Sequence, residues 1–344
     1  MIKIVQRRKI WFTFSLILTV MSIAAIAAWG LKLGIDYTGG TLTEIAFSET
    51  KLDSQEIKDA LASLNLGDVN VQFTENNSAF LRFKDVDEDT HQAILTALNQ
   101  KVSEKAGTAA APAAAESPVQ VEAQTADGES AAIEAEAVTA TGEEAATVGV
   151  TEKSFESTGP VIGDELKTST FWALLLAIIG IIFYIGWAFR KVSYPISSYK
   201  YGACATIALM HDVIITVGIF SVLGHFYGVE VGVTFLAAIL AILGYSVNDT
   251  IVVFDRTREN LLRGRLNDFE EIVNNSVNET FVRSINTSFT TLLMLFVMYL
   301  FGGASVQTFV LALIIGIAFG TYSSIFIASP LLVTWQRYDM KRKK

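Results

Sequence analysis

The sequence predicts a polytopic α-helical membrane protein, with six transmembrane helices and a ferredoxin-like α+β extracytoplasmic domain between helices 1 and 2. Three observations predict it. Apolar residues make up 51% of the 344 and charged ones only 18%. Charge is absent from 10–31, from 168–189 and from 284–336. Between the first two of these windows the chain turns polar, and its apolar residues alternate or recur at helical spacing, as a soluble fold requires.

A spanning helix needs about 20 apolar residues at roughly 1.5 Å each. The first two windows hold one each, and the third holds two, parted at the turn-like "GGASVQ". Two more, near 201–224 and 231–254, carry isolated ionisable residues. The first helix, 10–30, follows "RRK" and contains the small-residue run "AAIAA", features shared with cleavable secretory signals. Its apolar stretch of about 21 residues exceeds the usual signal core, so it reads as a retained span. The single Cys204 lies within a span, which excludes an intrachain disulfide framework.

Basic residues set the orientation. Lys3, Arg7, Arg8 and Lys9 precede span one, and Arg190, Lys191 and Lys200 lie between spans two and three. Arg256, Arg258, Arg263 and Arg265 follow span four, and the chain ends in "KRKK". The turns at 225–230 and 302–306 have no Lys or Arg. The positive-inside rule then places both termini in the cytoplasm. The expected organisation is a cytoplasmic N-terminus (1–9), helix 1 (10–30) and an extracytoplasmic domain (31–168). Helices 2–6 (169–337), with a cytoplasmic loop at 255–282, and a basic tail (338–344) follow. Residues 31–168 hold 25 acidic against 9 basic side chains, a net of −16, whereas the rest is net positive. Nucleic-acid binding would want the reverse.

Within the outer domain, "TLTEIAF" puts Thr41, Thr43, Ile45 and Phe47 on one side of a strand. A helix then starts, with Asp53 as cap, Glu56 completing a capping box and Leu52 stapled onto Ile57. Ile57, Leu61 and Leu64 form its apolar stripe. "VNVQF" and "AFLRF" alternate again around "TENNS", a hairpin pattern. A second helix over about 88–102 turns Ile94, Leu98 and Val102 inward. A strand near 151–161 completes β-α-β-β-α-β, the ferredoxin-like order. Before it, residues 106–148 are rich in Ala, Glu, Thr and Ser with almost no large apolar side chains, and read as a disordered acidic insertion.

The chemistry lies in polar residues inside spans. Span three carries His211 and Asp212. A His-Asp pair also occurs in metal-dependent phosphohydrolases, but with only His91, His211 and His225 in the chain the remaining ligands are wanting. No metal or cofactor is expected, and helix-to-helix hydrogen bonding is the plainer use of the pair. Span four reads "GYSVNDTIVVFD", with Ser246, Asn248 and Asp249 in an apolar helix. Asp249 lies about 9 Å inside its Asp255 end by helix rise. A carboxylate there costs a few kcal/mol and calls for a partner or water. Arg283, opening span five, is the candidate partner within the chain. The Asn-x-Ser/Thr triplets, Asn248–Thr250 included, are chance matches.

These residues bring a family into view. "GIDYTGGT" after span one, "STGPVIGDEL" before span two, "HDV" in span three, "GYSVNDTIVVFDRTREN" in span four and "RSINTS" in span five occur in one order. Together they resemble the SecF branch of the SecD/SecF protein-export family, within the resistance-nodulation-division superfamily. The resemblance covers nearly the whole chain; the acidic insertion is this chain's departure from the pattern. It implies a multi-pass protein of the bacterial inner membrane that pairs with SecD and associates with the SecYEG channel. It also implies that the proton gradient, or a sodium gradient, helps draw preproteins across. Carried over by position, Asp249 is the proton-relaying Asp and Arg283 the Arg of that relay, a further Asp coming from SecD. Gly39 and Gly40 match the double glycine at the junction of membrane and outer domain. Glycine's wide φ/ψ range suits a hinge there, and Gly159–Pro160 forms the return linker.

Three other readings remain. Another superfamily half-transporter would share the architecture. An intramembrane aspartyl protease could use Asp212 and Asp249, although Ser246-Val247-Asn248-Asp249 lacks the Gly-x-Gly-Asp signature. A scaffold would tolerate neutral variants at Asp249 and Arg283.

Overall fold

The computed structural model describes residues 2–48, 51–73, 77–106, 149–188, 197–263 and 268–342. They fall into two compact units, Gly40–Gly159 and a helical unit of Met1–Gly39 with Pro160–Lys344. The helical unit begins with α1 (Arg8–Trp29) and the one-turn α2 (Ile35–Thr38). The smaller unit follows: β1 (Gly40–Phe47), α3 (Ser54–Leu61), β2 (Asn70–Phe73), β3 (Ser78–Phe83), α4 (Glu88–Lys105) and β4 (Val150–Thr158). The helical unit then resumes with α5 (Pro160–Ala188), α6 (Ser198–Tyr227), α7 (Val233–Arg263) and α8 (Phe269–Phe301). It closes with α9 (Ala304–Ser323) and α10 (Ser329–Arg342), joined by a π-helical turn at Ser324–Ala328.

In the smaller unit the sheet order is β2-β3-β1-β4, with every neighbour antiparallel, so the element order and pairing are ferredoxin-like as expected. Period-2 alternation explains the burial of Thr41, Thr43, Ile45 and Phe47 on one face of β1. Ile57, Leu61, Ile94, Leu98 and Val102 cover that face and form the core. Leu64 falls beyond α3, in a short 3₁₀ turn, and is only partly buried. The start of α3 follows its local code. Asp53 Oδ1 accepts from the Glu56 amide at 2.8 Å, and Glu56 Oε2 accepts from the Asp53 amide at 2.7 Å. Leu52 and Ile57 are both fully buried. Asp53→Ala is expected to cost about 1 kcal/mol, measurable as faster amide exchange over α3 in the full chain.

The Glu56 carboxyl also accepts from Lys105 Nζ at 2.5 Å, and this bond, with that from the Asp53 amide, holds its pKa below the ordinary 4.5. A depressed carboxyl pKa contributes stability above the unfolded value, and that contribution is lost as pH falls through the folded one. The box is therefore intact at neutral pH and weakens only under acid. The last strand stops at Thr158, short of the expected 161, because Pro160 opens α5, where its fixed φ suits a first helical turn. Apart from Ala106, the insertion expected over 106–148 lies outside the described residues, as does the 74–76 part of the β2–β3 connection.

Among the described residues of the helical unit, six helical runs are long and apolar enough to cross a membrane. They are Val5–Trp29, Val161–Ala188, Tyr199–Tyr227, Val233–Arg263, Phe269–Phe301 and Val306–Arg342. The spans of α6, α7 and α9 form the interior, whereas α1, α5 and α8 expose most of their apolar surface. The connection expected as a loop over 255–282 is largely helical instead: α7 runs on to Arg263 and α8 starts at Phe269. The cause is amphipathic. Asp268 caps α8, and Ile272, Val273, Ser276, Val277 and Thr280 repeat at three- and four-residue spacing and are buried.

Small residues bring the helices close. A Cβ on Gly316 of α9 would overlap Ile242 of α7, and one on Gly320 would press on Ser246. At one end of the bundle, Glu270 at the start of α8 pairs with Arg8 of α1 at 3.0 Å and with Arg337 of α10. The amides of Ile4 and Val5 donate to Asn274 Oδ1 at 3.0 and 3.2 Å. The starts of α1 and α8 and the end of α10 therefore share that end.

Candidate functional site

The π-helical turn bears on the site, because it sits where α9 meets α6 and α7. Pro330 has no N–H to donate and its ring crowds the carbonyl four residues back, so a regular α-helix cannot continue through it. The widened turn precedes it and starts at Ser324, next to Ser323 at the end of α9, and both serines are fully buried. Wide turns of this kind are frequent at functional positions.

Asp212 of α6 is the hub of the buried polar residues. It is fully buried, and its Oδ2 accepts from Ser246 Oγ of α7 at 2.6 Å and from Ser323 Oγ of α9 at 2.7 Å. His211 Nδ1 lies 2.9 Å from Asp212 Oδ1, and the other ring nitrogen is buried without a hydrogen-bond partner. Thr250 and Ser324 hydroxyls meet at 2.8 Å, one turn along. A buried carboxylate this well bonded locks three helices in register, since each bond removed strands a polar group.

Helical geometry gives α7 a second polar face. Ser246 and Thr250, four apart, point to α6 and α9, while Tyr245 and Asp249, also four apart, point to α8. Asp249 Oδ1 accepts from Ser284 Oγ of α8 at 2.5 Å, and Asp249 Oδ2 is buried with no partner. Tyr245 donates to Ser288 at 3.3 Å, and Ser288 bonds Thr321 of α9 at 2.5 Å.

The expected residues are thus only partly united. Ser246, His211 and Asp212 form one group, and Asp249 belongs to another. Arg283 is the neighbour of Ser284 in the middle of α8; its side chain is exposed and makes no ion pair among the described residues. Asn248 is exposed and joins neither group. Reading the sequence missed Ser284, Ser288, Thr321, Ser323 and Ser324. Their signal was hydroxyls recurring in the charge-free window 284–336, notably the "SS" before "IFIASP".

The linker residues have their own geometry. Gly39 and Gly40 both take positive φ, +72° and +118°, which L side chains rarely adopt. A Cβ on Gly163 of α5 would lie 2.9 Å from the Tyr37 carbonyl, so α2 packs directly on α5. Asp36 Oδ2 accepts from the Val233 amide at 2.7 Å, fixing the same motif to the start of α7. In the sheet, Gly40 pairs with Thr158, so the outgoing and returning strands run side by side.

A bundle with six candidate spans and buried polar groups between its helices, carrying a ferredoxin-like unit inserted after the first span, defines the class of a multi-pass membrane protein. Residues 137–338 match the family described as "Protein export membrane protein SecD/SecF, C-terminal", and residues 25–51 match the SecD/SecF GG motif. The protein translocase subunit SecF of Thermobaculum terrenum is 39% identical, across 99% of this chain and 96% of its own. That of Vibrio alginolyticus is 33% identical, across 94% of this chain and 86% of its own. The crystal structure of SecDF, a translocon-associated membrane protein from Thermus thermophilus, superposes with a TM-score of 0.70 at 26% identity. The match covers 97% of this chain but only 38% of that one. The chain belongs to the SecD/SecF protein-export family, among its SecF translocase subunits.

Proposed function

We propose that this chain is the SecF half of a SecD–SecF assembly that assists SecYEG-dependent export of preproteins, driven by the proton or sodium gradient. Asp249 takes and releases the coupling ion, Arg283 faces the SecD half, and the further carboxylate of the relay comes from SecD. Both termini lie in the cytoplasm, and the unit Gly40–Gly159 lies outside. The linkers at Gly39–Gly40 and Gly159–Pro160 carry the motion outward, since moving the domain needs a bistable element biased by the ion.

One observation carries this reading: among the described residues, the Asp249 carboxylate is held within a span by Ser284 alone, with its second oxygen unpartnered, beside an exposed Arg283 that makes no ion pair. A structural carboxylate would be expected to use both oxygens, as Asp212 does. The clustering of Arg8, Glu270 and Arg337 at one bundle end agrees with the charge map that puts both termini on one side. Export into vesicles under separately imposed proton and sodium gradients tests the reading. One gradient should accelerate export and the other should not; indifference to both would refute it.

A further inference from the structure

Beside the Asp249–Ser284 pair, a polar cleft of about 330 Å³ opens between α7 and α8. Resting on the function proposed above, we infer that this cleft is the aqueous route by which a proton or small hydrated cation passes between Asp249 and the bundle end shared by Arg8, Glu270 and Arg337.

Helical spacing places the cleft. Val252 is three residues beyond Asp249 on α7, and Thr280 is four residues before Ser284 on α8, and both line it. It thus begins one turn, about 5 Å, from the carboxylate. Its direction follows from the helices, since α7 runs on to Arg263 and α8 starts at Phe269, toward Glu270. Its walls carry Asp255, Arg256, Glu259, Glu279 and Arg283, a density of charge that water, not lipid, must solvate. Arg283 lines the cleft without an ion pair among the described residues, so a mobile cation entering meets a fixed positive charge just before Asp249. That repulsion favours release of the ion from Asp249.

The cleft has a latch. Arg256 Nε donates to Glu279 Oε2 at 2.5 Å, tying α7 to α8, and Asn260 Nδ2 donates to the same oxygen at 2.9 Å. Arg256 also pairs with Glu259 on its own helix. Asp249 itself does not line the cleft, and its Oδ2 is buried, so this is the closed arrangement. Opening needs the bonds of Arg256 and Asn260 to Glu279, and that of Asn260 to Ser276 at 3.0 Å, to part; the polar core around Asp212 lies on the other face of α7 and stays bonded.

The test uses cysteine access in the full chain, co-expressed with SecD in membrane vesicles. Cys204 is the chain's only cysteine and is fully buried, which gives a quiet background. The probe is the membrane-impermeant cationic reagent methanethiosulfonate-ethyltrimethylammonium. Val252→Cys and Asp249→Cys should each react in inverted vesicles and not in right-side-out ones. Glu279→Gln should speed the Val252→Cys reaction by about fivefold, the scale set by a partly exposed ion pair. Val252→Trp should slow the Asp249→Cys reaction about tenfold or more, because the path is then apolar. Val252→Phe serves as a second filler, and SecD co-purification shows that each variant assembles. Unreactive cysteines, equal reaction from both faces, or an Asp249→Cys rate indifferent to both fillers would overturn the inference. Labelling does not depend on export, so an inaccessible cleft with a gradient-dependent wild type would refute the route and leave the relay standing.

Discussion

Asp249→Asn is expected to remove the gradient dependence of export while leaving the bundle folded and able to bind SecD. The asparagine carbonyl can still accept from Ser284 Oγ, and its amide replaces an oxygen that has no partner. Little packing changes, so thermal unfolding in detergent should match the native chain. What is lost is a group that can change charge. One elementary charge crossing 100 mV is worth about 2.3 kcal/mol, roughly a fiftyfold bias in an equilibrium. Without a titratable carboxyl that bias cannot be applied, and export under an imposed gradient should drop to its ungated level. Undiminished gradient-driven export in this variant would remove Asp249 from the mechanism.

Asp212→Ala is expected to do the opposite, unfolding the bundle more readily whatever the gradient. Removing the carboxylate takes away the hydrogen-bond acceptor that the Ser246 hydroxyl has among the described residues, and the partner of His211 Nδ1. Ser323 is less exposed to the loss, because its hydroxyl also reaches the Gly320 carbonyl at 3.1 Å. With the cavity left behind, the cost should be about 2–4 kcal/mol, read as a lower unfolding midpoint of the purified protein. Asp212→Asn should cost about 1 kcal/mol, since one acceptor oxygen survives. The two aspartates separate in this way: one variant loses function with stability kept, and the other loses stability first. Equal stability of Asp212→Ala and the native chain would show that the three-helix register does not depend on the hub.

Much of the fold was legible because it rests on local signals. The charge-free windows mark spans directly, since lipid tolerates little else. The capping box at Asp53–Glu56 and the alternation of β1 are read within a few residues, and the structure repeats them. The helical runs over 255–263 and 269–282 were harder to see. The buried stripe on α8 is interleaved with Glu and Asn residues that are good on a helix surface yet also common in loops. The π-helical turn was not legible either, because Pro330 announces a disturbance but not which way the helix resolves it.

The candidate site divides along the same line. By itself the sequence determined the family motifs, the six apolar spans and the presence of two carboxylates within them, because composition and spacing along one helix suffice for each. How many partners each carboxylate gathers was decided only by the tertiary fold. Asp212 gathers Ser246 and Ser323 from positions 34 and 111 residues away, whereas among the described residues Asp249 bonds Ser284 alone and keeps one oxygen without a partner. Hydrogen-bond partners drawn from separate helices leave no periodic trace in the chain, so their number at each aspartate is set by how the helices pack.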